Sequence, residues 1–191
     1  MRVIGGTARG RRLLAPRGLD TRPTSDKVKE ALFSILGGML GPLDGCSVLD
    51  IFAGTGSLGI EAMSRGADSA VFIDAGREAA AVIAKNLETT GFADRSRVFA
   101  QDFHAALARL ERDGRTFRLA FLDPPYRKGL LEKCLEQIGA STLLEENSVV
   151  VAELSSREEL KTAFGSLRQC DRRVYGDTAL TFFTMTRKGS P

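Results

Sequence analysis

Histidine is nearly absent from this chain: His104 is the only one in 191 residues. A histidine metal site or a histidine-based triad would have to be built around that one ring, which falls just after an apolar run and reads as structural or incidental. Cysteine is scarce too. Cys46, Cys134 and Cys170 are odd in number, widely spaced and without a CxxC pair, which argues against disulfide staples and structural zinc. No apolar run approaches the ~18 residues of a membrane span, and the opening Met1-Arg-Val-Ile-Gly-Gly6 lacks the apolar core of a signal peptide. The expectation is a cytoplasmic chain of one domain, 1–191, with a basic extension (1–23), a leading helix (24–40) and a core (45–187).

Net charge is +3, but unevenly placed. Residues 1–30 hold eight Lys or Arg against three acids, a local +5 that leaves −2 for the remainder. Such an end suits a phosphate backbone, with affinity that falls steeply in salt. An ordinary solvated surface is the plainer alternative. Gly5, Gly6, Gly10, Pro16 and Gly18 break the stretch, so it makes no amphipathic membrane helix.

The most informative hexapeptide is Phe121-Leu-Asp-Pro-Pro-Tyr126. An exocyclic amine on guanine or adenine is a weak nucleophile, because its lone pair is delocalised into the ring. Two fixed acceptors can draw its hydrogens out of plane. Asp123 offers a carboxylate and Pro124 a backbone carbonyl. Pro124 and Pro125 have locked φ, and residues preceding a proline are biased to extended backbone. Tyr126 offers a face on which a flipped base can stack, worth ~1–3 kcal/mol. A proline-terminated strand with a partly buried tyrosine is the competing explanation, and taken alone the tetrapeptide does not choose.

Residues 47–59, Ser-Val-Leu-Asp-Ile-Phe-Ala-Gly-Thr-Gly-Ser-Leu-Gly, read as a strand, a glycine turn and a helix start, with Gly54, Gly56 and Gly59 in GxGxxG spacing. Glycines there let backbone approach a nucleotide cofactor closely. Asp50, four residues before Gly54, would disfavour a pyrophosphate and suit the ammonium and sulfonium of S-adenosylmethionine; a carboxylate satisfying helix-N-terminal amides is its alternative role. Phe52 and Ala53 join the turn as cofactor candidates. Asp74 closes the next apolar run, where a ribose diol is gripped. Asp102 follows Val98-Phe-Ala-Gln101, placed to accept from an adenine amino group, with Phe103 to flank the ring. Each of these acids could instead cap a helix.

Strands are expected near 47–52, 69–74, 97–101, 117–123 and 149–154. Helices are expected at 77–87, 129–138 and 156–164, with a terminal hairpin over 167–186 and a small one around Val3-Ile4 and Leu13-Leu14. That alternation predicts an α/β fold, a doubly wound, mostly parallel seven-stranded sheet with an antiparallel C-terminal hairpin.

Taken together, four segments resemble class I S-adenosylmethionine-dependent methyltransferases, and more narrowly the bacterial enzymes that modify guanine N2 in 16S ribosomal RNA. They are Met1–Gly6 with Arg9-Gly-Arg-Arg12, Arg22-Pro-Thr-Ser-Asp-Lys-Val-Lys-Glu-Ala-Leu-Phe33, Asp50–Gly66, and Asp123-Pro-Pro-Tyr-Arg-Lys-Gly-Leu-Leu-Glu132. The last two are common to many amino-methylating enzymes; the first two narrow the family. Ser34 departs from the asparagine expected after Phe33. The resemblance implies a cytoplasmic, monomeric, metal-free enzyme that acts on 16S ribosomal RNA, free or within a partly assembled small subunit. Arg9, Arg11, Arg12, Arg22, Lys27, Arg127 and Lys128 are its RNA-backbone candidates. A DNA adenine-N6 or protein-glutamine methyltransferase, a nicotinamide-dependent oxidoreductase and a non-enzymatic RNA-binding module stay open as rivals.

Overall fold

The computed structural model describes residues 1–15, 25–125 and 129–186. Arg22, Tyr126, Arg127 and Lys128 lie outside them.

Five parallel strands form the heart of one sheet: β1 (Ser47–Ile51), β2 (Ser69–Asp74), β3 (Ser96–Ala100), β4 (Phe117–Leu122) and β5 (Leu144–Ser155). Three antiparallel strands extend it, β6 (Ala163–Phe164), β7 (Leu167–Tyr175) and β8 (Thr178–Met185), in the order β3-β2-β1-β4-β5-β8-β7-β6. The predicted seven strands are therefore joined by an eighth, the two-residue β6. It takes part of the segment expected to be a helix over 156–164, and no helix forms there. The local pattern is helix-like, but competing partners outweigh it. Arg172 donates to the carbonyls of Ser156 and Glu158, Ser156 N–H donates to Asp177 O, and Ala163–Phe164 pair with β7.

The helices are α1 (Asp26–Leu40), α2 (Ser57–Ser64), α3 (Arg77–Thr90), α4 (Phe103–Arg112) and α5 (Leu130–Ala140). Ser25 caps α1, its Oγ accepting from Val28 N at 3.3 Å. Gly37 and Gly38 do not shorten it, and it stops at Gly41, where φ is +70°. Strand residues alternate between two cores, one on each face of the sheet. Val48, Phe72, Phe121 and Val151 pack with α1, α2 and α3; Leu49, Ile73, Leu122 and Ala152 pack with α4 and α5. Parallel strands covered on both faces read as continuous apolar runs. That is why the strands were legible before their order was.

The basic segment forms its small hairpin, with Arg2 bridged to Arg12 and Val3 N–H donating to Arg11 O at 3.0 Å. It is clamped to the core by a buried ion pair. Lys29 Nζ lies 3.5 Å from Glu61 Oε2 with both side chains fully buried, and also donates to Arg2 O at 2.6 Å. Glu61 accepts from Ile4 N, Gly5 N and Arg65 Nε, each at 2.8 Å. These bonds offset the desolvation that pulls the Lys29 pKa down.

Candidate active site

Sheet order sets the carboxyl-end residues of five strands in a row. Reading across the edge, Asp102 follows β3, Asp74 ends β2, Asp50 lies in β1, Asp123 follows β4 and Glu153 lies in β5. The connections reverse direction between β1 and β4, the switch point where open α/β sheets bind ligands.

Each acid on the β1–β2–β3 side is tied to backbone amides. Asp50, 2% exposed, accepts from Gly59 N at 2.9 Å. Asp74 accepts from Gly54 N at 2.9 Å and from Gly76 N at 2.8 Å, so it grips the glycine turn directly. Asp102 caps α4 by accepting from His104 N at 2.9 Å. Asp50 and Asp102 thus satisfy amides in the first turns of α2 and α4, whereas Asp74 binds amides of the turns that precede α2 and α3. Carboxylates keep further lone pairs for a ligand. Burial, partly countered by the Gly59 bond and reinforced by Asp74, raises the Asp50 pKa to about 7.

The turn itself holds a strained, open shape. Phe52 takes φ +62°, rare for a non-glycine residue, and Gly54 and Gly56 take +56° and +75°. A side chain at Gly54 would meet only Phe52 O at 4.0 Å, so the space in front of it is kept free for a guest. At Gly59 a Cβ would lie 2.4 Å from the Phe72 ring and 3.1 Å from Asp50 Oδ2, so close helix–strand packing requires this glycine. Ala53 N–H donates to Ile73 O at 3.0 Å, joining the turn to β2. Phe103, expected beside an adenine ring, is 3% exposed and packs 5.2 Å from Phe52, which makes it a support under the turn. A turn with free space, flanked by acids, fits a cationic cofactor better than a pyrophosphate.

Asp123 extends the row on the other side, its N–H reaching Ile51 O at 3.5 Å. It opens to solvent at the cleft, yet sits among enough protein atoms that desolvation, then the charges of Glu153 and Asp50, raise its pKa well above the ordinary range. Beside it lies a cavity of about 250 Å³, lined by Pro124, Pro125, Gly129, Leu131, Leu154 and Leu160 together with four glutamates, Glu132, Glu153, Glu158 and Glu159. Pro124 is buried and Pro125 exposed.

Arg9, Arg11, Arg12 and Lys27 are exposed, as phosphate contacts need, while Arg2 pairs with Asp26 at 3.0 Å and Lys29 is internal. The hairpin also reaches the turn. Asn86 Nδ2 donates to Leu14 O at 3.1 Å and to Thr55 O at 2.9 Å, and its Oδ1 accepts from Leu14 N at 2.8 Å. Glu153, Asn86 and the Lys29–Glu61 pair were missed by sequence reasoning. For Asn86 a signal existed: a polar residue on the helix stripe of Ile83 and Leu87. His104 hydrogen-bonds Gln137 of α5, a helix–helix contact. Among the described residues no cluster of potential metal ligands occurs, and no helix is long and apolar enough to cross a membrane.

The fold is that of Rossmann-like methyltransferases. An Escherichia coli structure, yhhF, provisionally named a methyltransferase, superposes with a TM-score of 0.83 at 30% identity, over 97% of each chain. The chain belongs to the family described as conserved hypothetical protein 95, whose model matches residues 1–184. YlbH of Bacillus subtilis (strain 168), provisionally named an rRNA methyltransferase, is 40% identical over 96% of this chain and 98% of its own. Ribosomal RNA small subunit methyltransferase D of Escherichia coli (strain K12) is 33% identical over 99% of this chain and 92% of its own.

Proposed function

We propose that this chain transfers a methyl group from S-adenosylmethionine to the exocyclic N2 amine of a guanine in 16S ribosomal RNA. Family membership supports the coarser part, methylation of ribosomal RNA, with S-adenosylmethionine as the cofactor. The observation that carries the finer part is the position of Asp123. It stands between a glycine turn flanked by acids and a small cavity lined by prolines, leucines and glutamates.

When bound, the cofactor's sulfonium would supply an electrophilic methyl group for N2 and would depart as a neutral thioether. Everything else is orientation and charge placement by the protein. Asp74 holds the turn closed around the Gly54 amide while offering lone pairs to hydroxyls. Asp50 places negative charge behind the turn, and Asp102 and Phe103 close its far side. Asp123 accepts from the amine, with the Pro124 carbonyl as second acceptor, and takes the proton that N2 sheds once alkylated. Tyr126 stacks on the base. Arg9, Arg11, Arg12, Arg22, Lys27, Arg127 and Lys128 grip flanking phosphates. The enzyme works in the cytoplasm as a monomer, on free RNA or a partly assembled subunit.

Nucleoside mass spectrometry of 16S RNA from cells with and without this protein tests the reading. Loss of one N2-methylguanosine is expected on deletion. An unchanged N2-methylguanosine content would overturn the guanine assignment, and loss of a methylated adenosine would redirect it.

A further inference from the structure

The glycine turn is tied to the basic hairpin through three contacts that converge on the residues flanking Gly56. Thr55 Oγ1 donates to Met1 Sδ at 3.2 Å. Lys29 Nζ donates to Ser57 Oγ at 3.2 Å and to Arg2 O at 2.6 Å. The third contact is Asn86 of α3, a fully buried side chain. Its amide meets Leu14 as a neighbouring strand would, Oδ1 accepting from Leu14 N at 2.8 Å and Nδ2 donating to Leu14 O at 3.1 Å. Nδ2 also donates to Thr55 O at 2.9 Å. A primary amide offers that set, an acceptor and two donors in a flat fork without charge.

What Asn86 holds is the peptide between Thr55 and Gly56. At the other end of that peptide Gly56 N–H donates to Ala53 O at 2.7 Å, so the Asn86 bond fixes its second end. Gly56 takes φ +75°, and a Cβ there would lie 3.3 Å from Ile83 of the same helix, so α3 meets the turn by packing as well as by hydrogen bonding. The Asn86–Thr55 bond is buried, and a carbonyl deprived of it carries the desolvation cost of an unpaired acceptor.

Resting on the reading of this turn as the seat of S-adenosylmethionine, we infer that Asn86 is a positioning residue for cofactor binding. It locks the Thr55–Gly56 peptide in its ligand-holding orientation and makes that orientation depend on the docked hairpin. The segment that carries Arg9, Arg11 and Arg12 thereby supports the cofactor site as well as facing RNA. Such coupling is reciprocal. A cofactor seated in the turn strengthens the hold on Leu14, and a hairpin released from Asn86 loosens the cofactor.

Asn86→Ala should raise the KM and the calorimetric Kd for S-adenosylmethionine about 10- to 100-fold, as expected for a buried polar group left unpaired. Its kcat at saturating cofactor should stay within a few-fold of wild type. An asparagine that merely supports the fold would instead lower kcat and melting temperature through fewer folded molecules, with KM unchanged, and that outcome overturns the inference. In the wild-type enzyme, amide hydrogen exchange at Leu14 should slow when S-adenosylmethionine is added, because the cofactor stabilises only those states in which the turn is intact. Asn86→Ala should abolish that protection, and protection that persists counts against the inference. Leu14 exchange indifferent to the cofactor in wild type overturns it even if Asn86→Ala does not fold. Wild-type protein without calorimetric affinity for S-adenosylmethionine overturns the reading of the turn as well.

Discussion

Along the β1–β2–β3 part of the sheet edge, Asp50, Asp74 and Asp102 are held by the amides of Gly59, Gly54, Gly76 and His104. Along the β4–β5 part, Asp123 faces the like charges of Glu153 and Asp50. One residue type thus does two jobs. Where backbone donors surround it, a carboxylate shapes a turn and fixes the ligand's seat. Where another carboxylate stands beside it, it remains an acceptor that a ligand's donors can satisfy. The difference comes from neighbours and depth, since side-chain chemistry is nearly the same in both places.

Removing the acceptor half should give the largest effect. Asp123→Ala is expected to lower methyl transfer by about 10²–10³-fold, as loss of one preorganised transition-state partner does, with cofactor affinity nearly unchanged. Single-turnover methylation beside calorimetry checks this, and wild-type turnover in the variant would erase the distinction between the halves. The converse is Asp74→Ala, which strips the acceptor from Gly54 and Gly76 amides. Cofactor affinity should weaken about 10- to 100-fold, from ~1–3 kcal/mol for unsatisfied groups, with a smaller change in the methyl-transfer step at saturation. Equal losses in both quantities would show that the halves act as one unit.

A subtler separation uses pH. With its pKa at about 7, Asp50 is largely protonated below neutrality. A cationic ligand prefers the ionised form, so cofactor affinity should rise with pH through about 7, by up to tenfold per unit below that value. Stability runs the other way. Between the ordinary carboxylate range and about pH 7 the native state binds a proton that the unfolded chain lacks, so stability falls as pH rises, by up to ~1.4 kcal/mol per unit. Asp50→Asn, which can still accept from Gly59, should flatten both profiles in calorimetry and thermal melts. Profiles indifferent to the substitution would assign the titration elsewhere.

The smallest effect concerns the hairpin, whose hydrogen bonds run to α1, α2, α3 and the glycine turn. Neutralising Arg9, Arg11 and Arg12 should reduce the slope of log affinity for RNA against log salt by roughly 0.7–0.9 for each phosphate that is no longer neutralised. Filter binding across a salt series measures it, and an unaltered slope would remove these residues from the RNA surface.

Much of the site was readable from spacing because it lies in local units. Asp50 with Gly54, Gly56 and Gly59, or Asp123 with two prolines, is a strand end and its turn, and both chemistry and conformation sit within a dozen residues. The helix expected over 156–164 failed for the opposite reason. Its local pattern was sound, but β7 and its Arg172, just beyond that window, took its polar groups. Phe103, proposed to flank the cofactor's ring, packs against Phe52 and the core beneath the turn, a contact that spacing does not reveal.

Composition and spacing alone determined the parallel sheet, the glycine turn, the Asp-Pro-Pro-Tyr tetrapeptide and the basic end, because period, φ restriction and charge are properties of short stretches. Only tertiary structure decided which acids bind amides and which crowd one another, that Lys29 turns inward to Glu61, and that Glu153 stands next to Asp123. Those outcomes depend on strand order and register, which bring together residues about 30 positions apart in sequence through pairings that neither segment encodes by itself.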